Sequence, residues 1–318
     1  MRLVVALGGN ALLRRGEPAE ASIQRQRVLD AASALAALAR EHELVITHGN
    51  GPQVGLLALE AAAYADVAPY PLDLLGAESQ GLIGYLLAQE LQNHLPDRDV
   101  AVVLTQVLVD ADDPAFANPS KPIGPVYDQT EATRQAGLHD WTIGRDGASW
   151  RRVVPSPEPR GIVEFDSIRR LLTCRTVVVC AGGGGVPVVR DEGRLRGVEA
   201  VIDKDLTAAL LAERIGADRL VIATDVAGVV RHWGRPDAEP IGDTSPEELR
   251  ALSFAPGSMG PKVEAACRFV ERTGFPASIG ALDNLANVAA ARAGTQILCT
   301  SPAPALRPSP DSLALSGL

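Results

Sequence analysis

The sequence predicts an α/β protein: a mainly parallel sheet with helices on both faces, and one inserted, protruding lobe. Three observations predict it. Short β-like runs alternate with long Ala- and Leu-rich stretches of helical spacing, the signature of βαβ units whose crossovers cover the sheet. Three strand-like runs end in glycine turns: LGGN at 7–10, HGNGPQ at 48–53 and AGGGG at 181–185. The alternation is interrupted over residues 111–161, which hold seven prolines, several glycines and little helical periodicity.

Taken in order, RLVVAL at 2–7 reads as the first strand. Its apolar run is short and followed at once by glycines and Asn10, unlike a secretory signal. Apolar spacing from about 20 to 41 is helical. ELVITHG at 43–49 is a second strand ending in glycine. Helices over about 52–63 and 74–94 and a strand over 100–109 follow. Beyond the lobe come helix 165–173, strand 176–184, helix 204–215 and strand 219–225. Ser245, followed by Pro246 and two glutamates, reads as the N-cap of another helix. A helix from 261 to about 272, strand ASIGAL, helix 283–292 and strand TQILCT complete the pattern. The tail at 301–318 is rich in Pro and Ser and reads as flexible.

The bulk numbers exclude several classes. Of 318 residues, 46% are hydrophobic and 22% charged, which suits a globular chain with an ample core. No apolar run approaches the roughly 18 residues of a membrane span. A net charge of −9 argues against a nucleic-acid surface. Cys174, Cys180, Cys267 and Cys299 are scattered and the five histidines do not cluster, so no protein metal site is expected and a reducing cytoplasm is. An anionic substrate would therefore need a local positive field.

The glycine turns offer one. Glycine beyond the carboxyl end of a parallel strand lets backbone N–H groups approach phosphate oxygens. Pro52, just past Gly51, suits the first turn of a helix whose N-terminus favours an anion. Neither GxGxxG nor GxxxxGK[ST] occurs, so neither a dinucleotide fold nor a Walker-type ATPase is supported. The lysines are more telling. Of 30 basic residues only Lys121, Lys204 and Lys262 are lysine. Lys204 opens a helix between Asp203 and Asp205, Lys262 follows GSMGP, and Lys121 lies in KPIGP of the lobe. Phosphoryl transfer needs flexible positive charge around a group whose equatorial oxygens carry the transition-state charge. Three ammoniums, oriented by Asp205, fit that need. Thr224 and Asp225, ending a strand, read as a nucleotide-side loop.

Together these stretches resemble carbamate kinase, within the amino acid kinase superfamily. The matching motifs are VVALGGNAL, THGNGPQVG, ESQGLIGY, TQVLVDADDPAF, KPIGP, RRVVPSPEP, VEAVIDKDLTAALLA and GSMGPKVEAA, in order from about 3 to 300. The resemblance implies a three-layer α/β/α sandwich with an open, mainly parallel central sheet. It implies a kinase-type domain over 1–300, with an N-lobe of about 1–175 for carbamate and the phosphoryl group. That N-lobe carries the protruding subdomain of about 111–161, and a C-lobe of about 176–300 takes the nucleotide. It also implies a homodimer and the reaction ATP + carbamate ⇌ ADP + carbamoyl phosphate, with Mg²⁺ held mainly through the nucleotide phosphates. That reaction would often run toward ATP in arginine, agmatine or purine breakdown.

Carried over by motif, Gly8, Gly9, Asn10, Gly49, Asn50 and Gly51 would hold carbamate and the transferred phosphate. Lys121 and Lys204 would stabilise that group, with Asp205 orienting both amines. Lys262 would meet the nucleotide phosphates beside Thr224, Asp225, Met259 and Gly260. Acylglutamate- and aspartate-type relatives place a lysine on or just after the first strand. Residues 3–13 here have none, and KPIGP supplies the amine instead. Two departures flank the motifs: Val126 stands where a larger aromatic is expected, and Glu78 where methionine is common. The alternatives are an enzyme of the same fold phosphorylating another small carboxylate or phosphonate, which an acceptor screen separates, and a non-catalytic nucleotide or carbamoyl-phosphate sensor, which would bind without turnover.

Overall fold

A computed structural model of the chain describes residues 1–9, 12–13, 16–64, 66–254 and 259–299. Asn10 and the tail at 301–318 lie outside the described residues.

The chain opens with β1 (Arg2–Leu7), crosses over through α1 (Ala21–Glu41) and returns as β2 (Glu43–His48). Both strands are nearly continuous buried apolar runs, as a parallel sheet covered on both faces requires. α2 (Gly51–Ala63), α3 (Leu72–His94) and β3 (Val100–Val103) follow. The strand expected over 100–109 is broken: Gln106–Leu108 leaves the main sheet as β4. Gln80 on α3 marks the break. Its Nε2 donates to the Thr105 carbonyl at 3.1 Å and its Oε1 accepts from the Thr105 N–H at 3.0 Å, taking the place of a neighbouring strand.

The lobe is more regular than its prolines suggest. β5 (Lys121–Tyr127), α4 (Gln129–His139), β6 (Ile143–Asp146) and β7 (Ser149–Val154) form a small unit with an antiparallel sheet in the order β5-β7-β6. α4 went unread because it is largely polar. Its start is nonetheless written locally: Asp128 accepts from the Glu131 N–H at 2.8 Å as N-cap. β8 (Gly161–Ile162) brings the chain back antiparallel to β4, pairing Leu108 with Gly161 and Val107 with Ile162. Val126 and Glu78 are both exposed, so neither departure disturbs a core.

After α5 (Phe165–Thr173), β9 (Val177–Cys180) rejoins the main sheet. The strand expected to reach 184 stops at Cys180. Ala181 has φ 50°, and Gly183, Gly184 and Gly185 have φ of 65°, 93° and 89°, so the backbone turns left-handed. The hairpin of β10 (Val186–Asp191) and β11 (Arg194–Gly197), also unread in the sequence, completes a second sheet, β11-β10-β4-β8. Then come α6 (Lys204–Arg214), β12 (Arg219–Thr224), the short pair β13 (Val230–Arg231) and β14 (Glu239–Pro240), and β15 (Asp243–Thr244). α7 (Pro246–Arg250) has the expected Ser245 cap, closed as a capping box by Glu248. α8 (Met259–Thr273), β16 (Ala277–Ala281), α9 (Leu285–Ala289) and β17 (Thr295–Ile297) end the fold. α9 is shorter than the expected 283–292, because Leu282–Asn284 is a 3-10 turn and Ala291 turns left-handed at φ 58°.

The main sheet has eight strands in the order β15-β17-β16-β12-β1-β2-β9-β3. Every neighbouring pair is parallel except β16 with β17. Alternate residues of β1 serve opposite faces. Val4 and Ala6 pack with α5, α6, α7 and α8, while Leu3, Val5 and Leu7 pack with α1, α3 and α9. The result is the expected three-layer α/β/α sandwich. The chain builds outward from β1 on one side and from β12 on the other, which puts a topological switch point between them. A third, small apolar cluster seats the lobe: Ile123 and Val154 meet Val54, Ala58, Leu72, Leu75 and Val201.

Candidate active site

Register places the strand ends. Leu7 pairs with His48 on one side and with Ala223 on the other, so β1, β2 and β12 finish level. The ladder continues one step into the turns, with Gly8 N–H donating to Ala223 O at 2.9 Å and Gly49 N–H to Leu7 O at 3.0 Å. A Cβ on Gly49 would lie 2.9 Å from the Gly9 nitrogen, so the first two glycine turns meet backbone to backbone. α2 begins there at Gly51 with Pro52 in its first turn, and Asn50 makes no side-chain cap. Its first-turn N–H groups therefore point to the same edge without a side-chain acceptor. The Asn50 amide turns away instead and donates to Ser79 Oγ at 2.8 Å.

The third turn plays a different part from the one expected of it. A Cβ on Gly183 would fall 2.1 Å from Asn50 Nδ2, and one on Gly182 would fall 2.4 Å from the His48 ring. These glycines make room for two buried side chains. His48 itself is nearly inaccessible, with Nδ1 3.1 Å from Gly49 O. Burial lowers its pKa to about 4, aided by the Lys204 charge and opposed by the Gly49 carbonyl, so the ring is neutral at pH 7.

The lysines converge as expected. Asp203 is the N-cap of α6: its Oδ1 accepts from the N–H groups of Asp205 at 2.9 Å and Leu206 at 3.3 Å. That cap starts the helix at Lys204 and puts Lys204 and Asp205 in its first turn. Lys204 Nζ donates to Asp205 Oδ1, and Lys262, from the first turn of α8, reaches Asp205 Oδ2 at 3.0 Å. Asp205 thus holds Lys204 and Lys262 rather than Lys204 and Lys121. Lys121 reaches from β5 to Asp203 Oδ2 instead. The sequence reading had assigned Asp203 no role. Its signal was its place before a helix in DKDL.

The electrostatics follow from that arrangement. Three ammoniums meet Asp203 and Asp205, with Asp225 adding negative charge toward Lys262, in a place where Lys204 and Asp205 are 8% and 3% exposed. Burial works against the Asp205 carboxylate, but Lys204 and Lys262 outweigh it and hold it well below the usual carboxylate range. Asp203 and Asp205 both favour the charged amine of Lys204, but its burial outweighs them. Burial, with the like charge of Lys262 and against Asp205, lowers Lys204 to about 8. Burial also works against the charged form of Lys262, yet Asp205, with Asp203 and Asp225, leaves that amine raised.

At the positions the sequence suggests for nucleotide, Thr224 ends β12 buried and its hydroxyl donates to the exposed Asp225 at 3.1 Å. Met259 and Gly260 open α8, with Met259 packed against the core, so Lys262 is carried on a fixed helix.

A parallel sheet with its switch point beside glycine turns, and lysines gathered by aspartates there, defines the class. The chain belongs to the amino acid kinase family, whose model matches residues 1–281. Within that class it belongs to the carbamate kinase family. It is 54% identical over 299 residues to a carbamate kinase of Haemophilus influenzae, covering 93% of this chain and 96% of the relative. It is 52% identical over 295 residues to a carbamate kinase of Escherichia coli strain K12, covering 93% and 98%. Among solved structures, the carbamate kinase from Giardia lamblia bound to AMP-PNP superposes with a TM-score of 0.85 at 38% identity, covering 93% of this chain and 98% of that one.

Proposed function

We propose that this protein is a carbamate kinase, catalysing ATP + carbamate ⇌ ADP + carbamoyl phosphate. The observation that carries the reading is the gathering of Lys121, Lys204 and Lys262 on Asp203 and Asp205 beside the glycine turns, where the α2 N-terminus presents backbone N–H groups. In the forward direction a carbamate oxygen attacks the γ-phosphorus and the bond to the β-phosphate oxygen breaks. The attacking oxygen is already anionic, so no proton leaves and the step needs alignment and positive charge more than a base. A neutral His48 suits such a site.

In this reading the residues divide by side. Gly8, Gly9, Gly49, Asn50 and Gly51, with Asn10, form the carbamate and phosphoryl side, Asn50 acting through its grip on Ser79. Lys121 and Lys204 neutralise the transferred group. Lys262, Thr224, Asp225, Met259 and Gly260 form the nucleotide side. Residues of about 1–175 serve the acceptor and about 176–300 the nucleotide. Asp203 and Asp205 are engaged by amines, and among the described residues no group of three or more His, Cys, Asp or Glu is placed to hold a metal. Mg²⁺ enters on the nucleotide phosphates as part of the substrate.

Among the described residues no helix is long and apolar enough to cross a membrane. We place the working enzyme in the cytoplasm as a homodimer. Support for the dimer is the open sheet edge at β3, where Val102 and Leu104 are exposed, with Leu82 and Tyr85 exposed on the adjoining α3. Its use would be ATP formation in arginine, agmatine or purine breakdown.

The test is ATP formation from carbamoyl phosphate, ADP and Mg²⁺, with acetyl phosphate as control donor and Lys204→Ala as blank. Rapid formation that the substitution abolishes is expected. No formation by folded protein would overturn the carbamate assignment and turn the search to other carboxylates or phosphonates.

A further inference from the structure

The site described so far leaves one polar group without a chemical task. Asp203 is 8% exposed, and its two oxygens do different things. Oδ1 accepts the Asp205 and Leu206 N–H groups and so starts α6. Oδ2 faces the lobe and takes the Lys121 ammonium. A carboxylate is not needed for the first task, because asparagine caps a helix about equally well. The second task needs the charge.

The strand that carries Lys121 touches the body at two points near the site. One is rigid: a Cβ on Gly55 of α2 would fall 2.0 Å from the Gly124 Cα, so backbone lies on backbone three residues beyond Lys121. The other is the polar contact of Lys121 with Asp203. The first fixes where β5 sits, and the second fixes where the end of a flexible four-carbon side chain lies. An ammonium has three N–H donors. One can stay on Asp203 Oδ2 while the others turn to phosphoryl oxygens, so the contact need not break during transfer.

We infer that Asp203 is a positioning residue for the reaction: it ties the lobe amine, Lys121, to the head of α6, within the same turn as Lys204 and Asp205. This rests on the reading that Lys121 meets the transferred phosphoryl group. Asp203 touches no reacting atom; its hydrogen-bonded amine is Lys121, and its charge reaches Lys204 and Lys262 only through space. It also gives the two aspartates of DKDL separate duties, Asp203 serving the lobe lysine and Asp205 the two body lysines.

The experiment is a double-mutant cycle on the full-length protein, reading ATP formation from carbamoyl phosphate and ADP together with thermal midpoints. Asp203→Asn keeps the cap. It is expected to leave the midpoint within a few degrees of the parent and the KM for ADP unchanged, while lowering kcat roughly 10²-fold, the loss typical of a group misplaced by about 1 Å. Asp203→Ala should show the same kcat loss and a lower midpoint as well. Lys121→Ala should be slow, and adding Asp203→Asn to it should slow it far less than it slows the parent. A normal rate in Asp203→Asn overturns the inference. So does an equal further loss on the Lys121→Ala background, which would mean that Asp203 acts by another route while the role of Lys121 stands. A normal rate in Lys121→Ala would overturn the reading of Lys121 itself.

Discussion

The body edge and the lobe bring charge to one place by opposite means. At the body edge, Lys204 and Asp205 are almost wholly buried, Lys262 rides on a packed helix, and the glycine turns lie backbone to backbone. Those groups are positioned before any ligand arrives, which is what electrostatic preorganisation requires. The lobe is a thin three-stranded sheet whose residues are mostly half-buried, and a small apolar cluster joins it to the body. Its amine depends on one glycine-on-glycine seat and one carboxylate. The difference teaches that a site can divide its charge between a rigid part that stabilises the moving group and a separately supported arm that completes it.

Four substitutions or conditions break or sharpen that contrast. The largest effect belongs to the rigid part: Lys204→Ala should lower kcat by about 10²–10³-fold or more, the usual cost of losing one preorganised donor, with the fold retained by circular dichroism. Next comes the arm's seat. Gly55→Ala sets a methyl group 2.0 Å from the Gly124 backbone, so the lobe must shift. An overpacked contact costs about 1–3 kcal/mol, and displacing Lys121 should lower kcat/KM for carbamoyl phosphate by roughly tenfold to 10²-fold. A normal rate there would mean that the arm's placement does not depend on this seat.

A pH profile reads the rigid part more gently. Lys204 is charged below its folded-state pKa of about 8 and loses that charge as pH rises through it. kcat/KM for carbamoyl phosphate should therefore fall by up to tenfold per unit on the alkaline side of about pH 8. In Lys204→Arg, slower but permanently charged, that limb should vanish. The smallest effect is a control away from both regions. Gly81 is exposed on α3 and a Cβ there meets open space. Gly81→Ala should stabilise by about 0.5–1 kcal/mol through helix propensity and leave kcat unchanged, read from denaturant unfolding and the rate assay.

The contrast also explains what the sequence disclosed. The central strands β1, β2, β9 and β12 are short buried runs such as LVVAL and LVITH, and their apolar character marks them. The lobe strands are half-buried and mixed in composition, as in SWRRVV, so neither a period of two nor an apolar run stands out. α4 lacks an apolar face for the same reason, although Asp128 and Glu131 marked its start. The break after β3 depends on Gln80, about 25 residues away, and no local pattern carries that. At the site, the scarcity of lysine pointed to all three amines. Which aspartate holds which lysine was not legible, because it depends on how α6, α8 and β5 pack around DKDL, which no local pattern carries.

One earlier detail concerns how such an arm could be acquired. The chain leaves along β4 and returns along β8, two strands paired directly with each other. Asp113 closes the gap above them, accepting from the Glu158 N–H at 3.0 Å. With the exit and entry clasped in this way, the intervening segment is a cassette whose length the body hardly feels. Doubling a flexible insertion adds only about 0.6 kcal/mol of closure entropy. Evolution can lengthen, trim or replace such a cassette without redesigning the sheet beneath it, provided the new one delivers a single ammonium to Asp203.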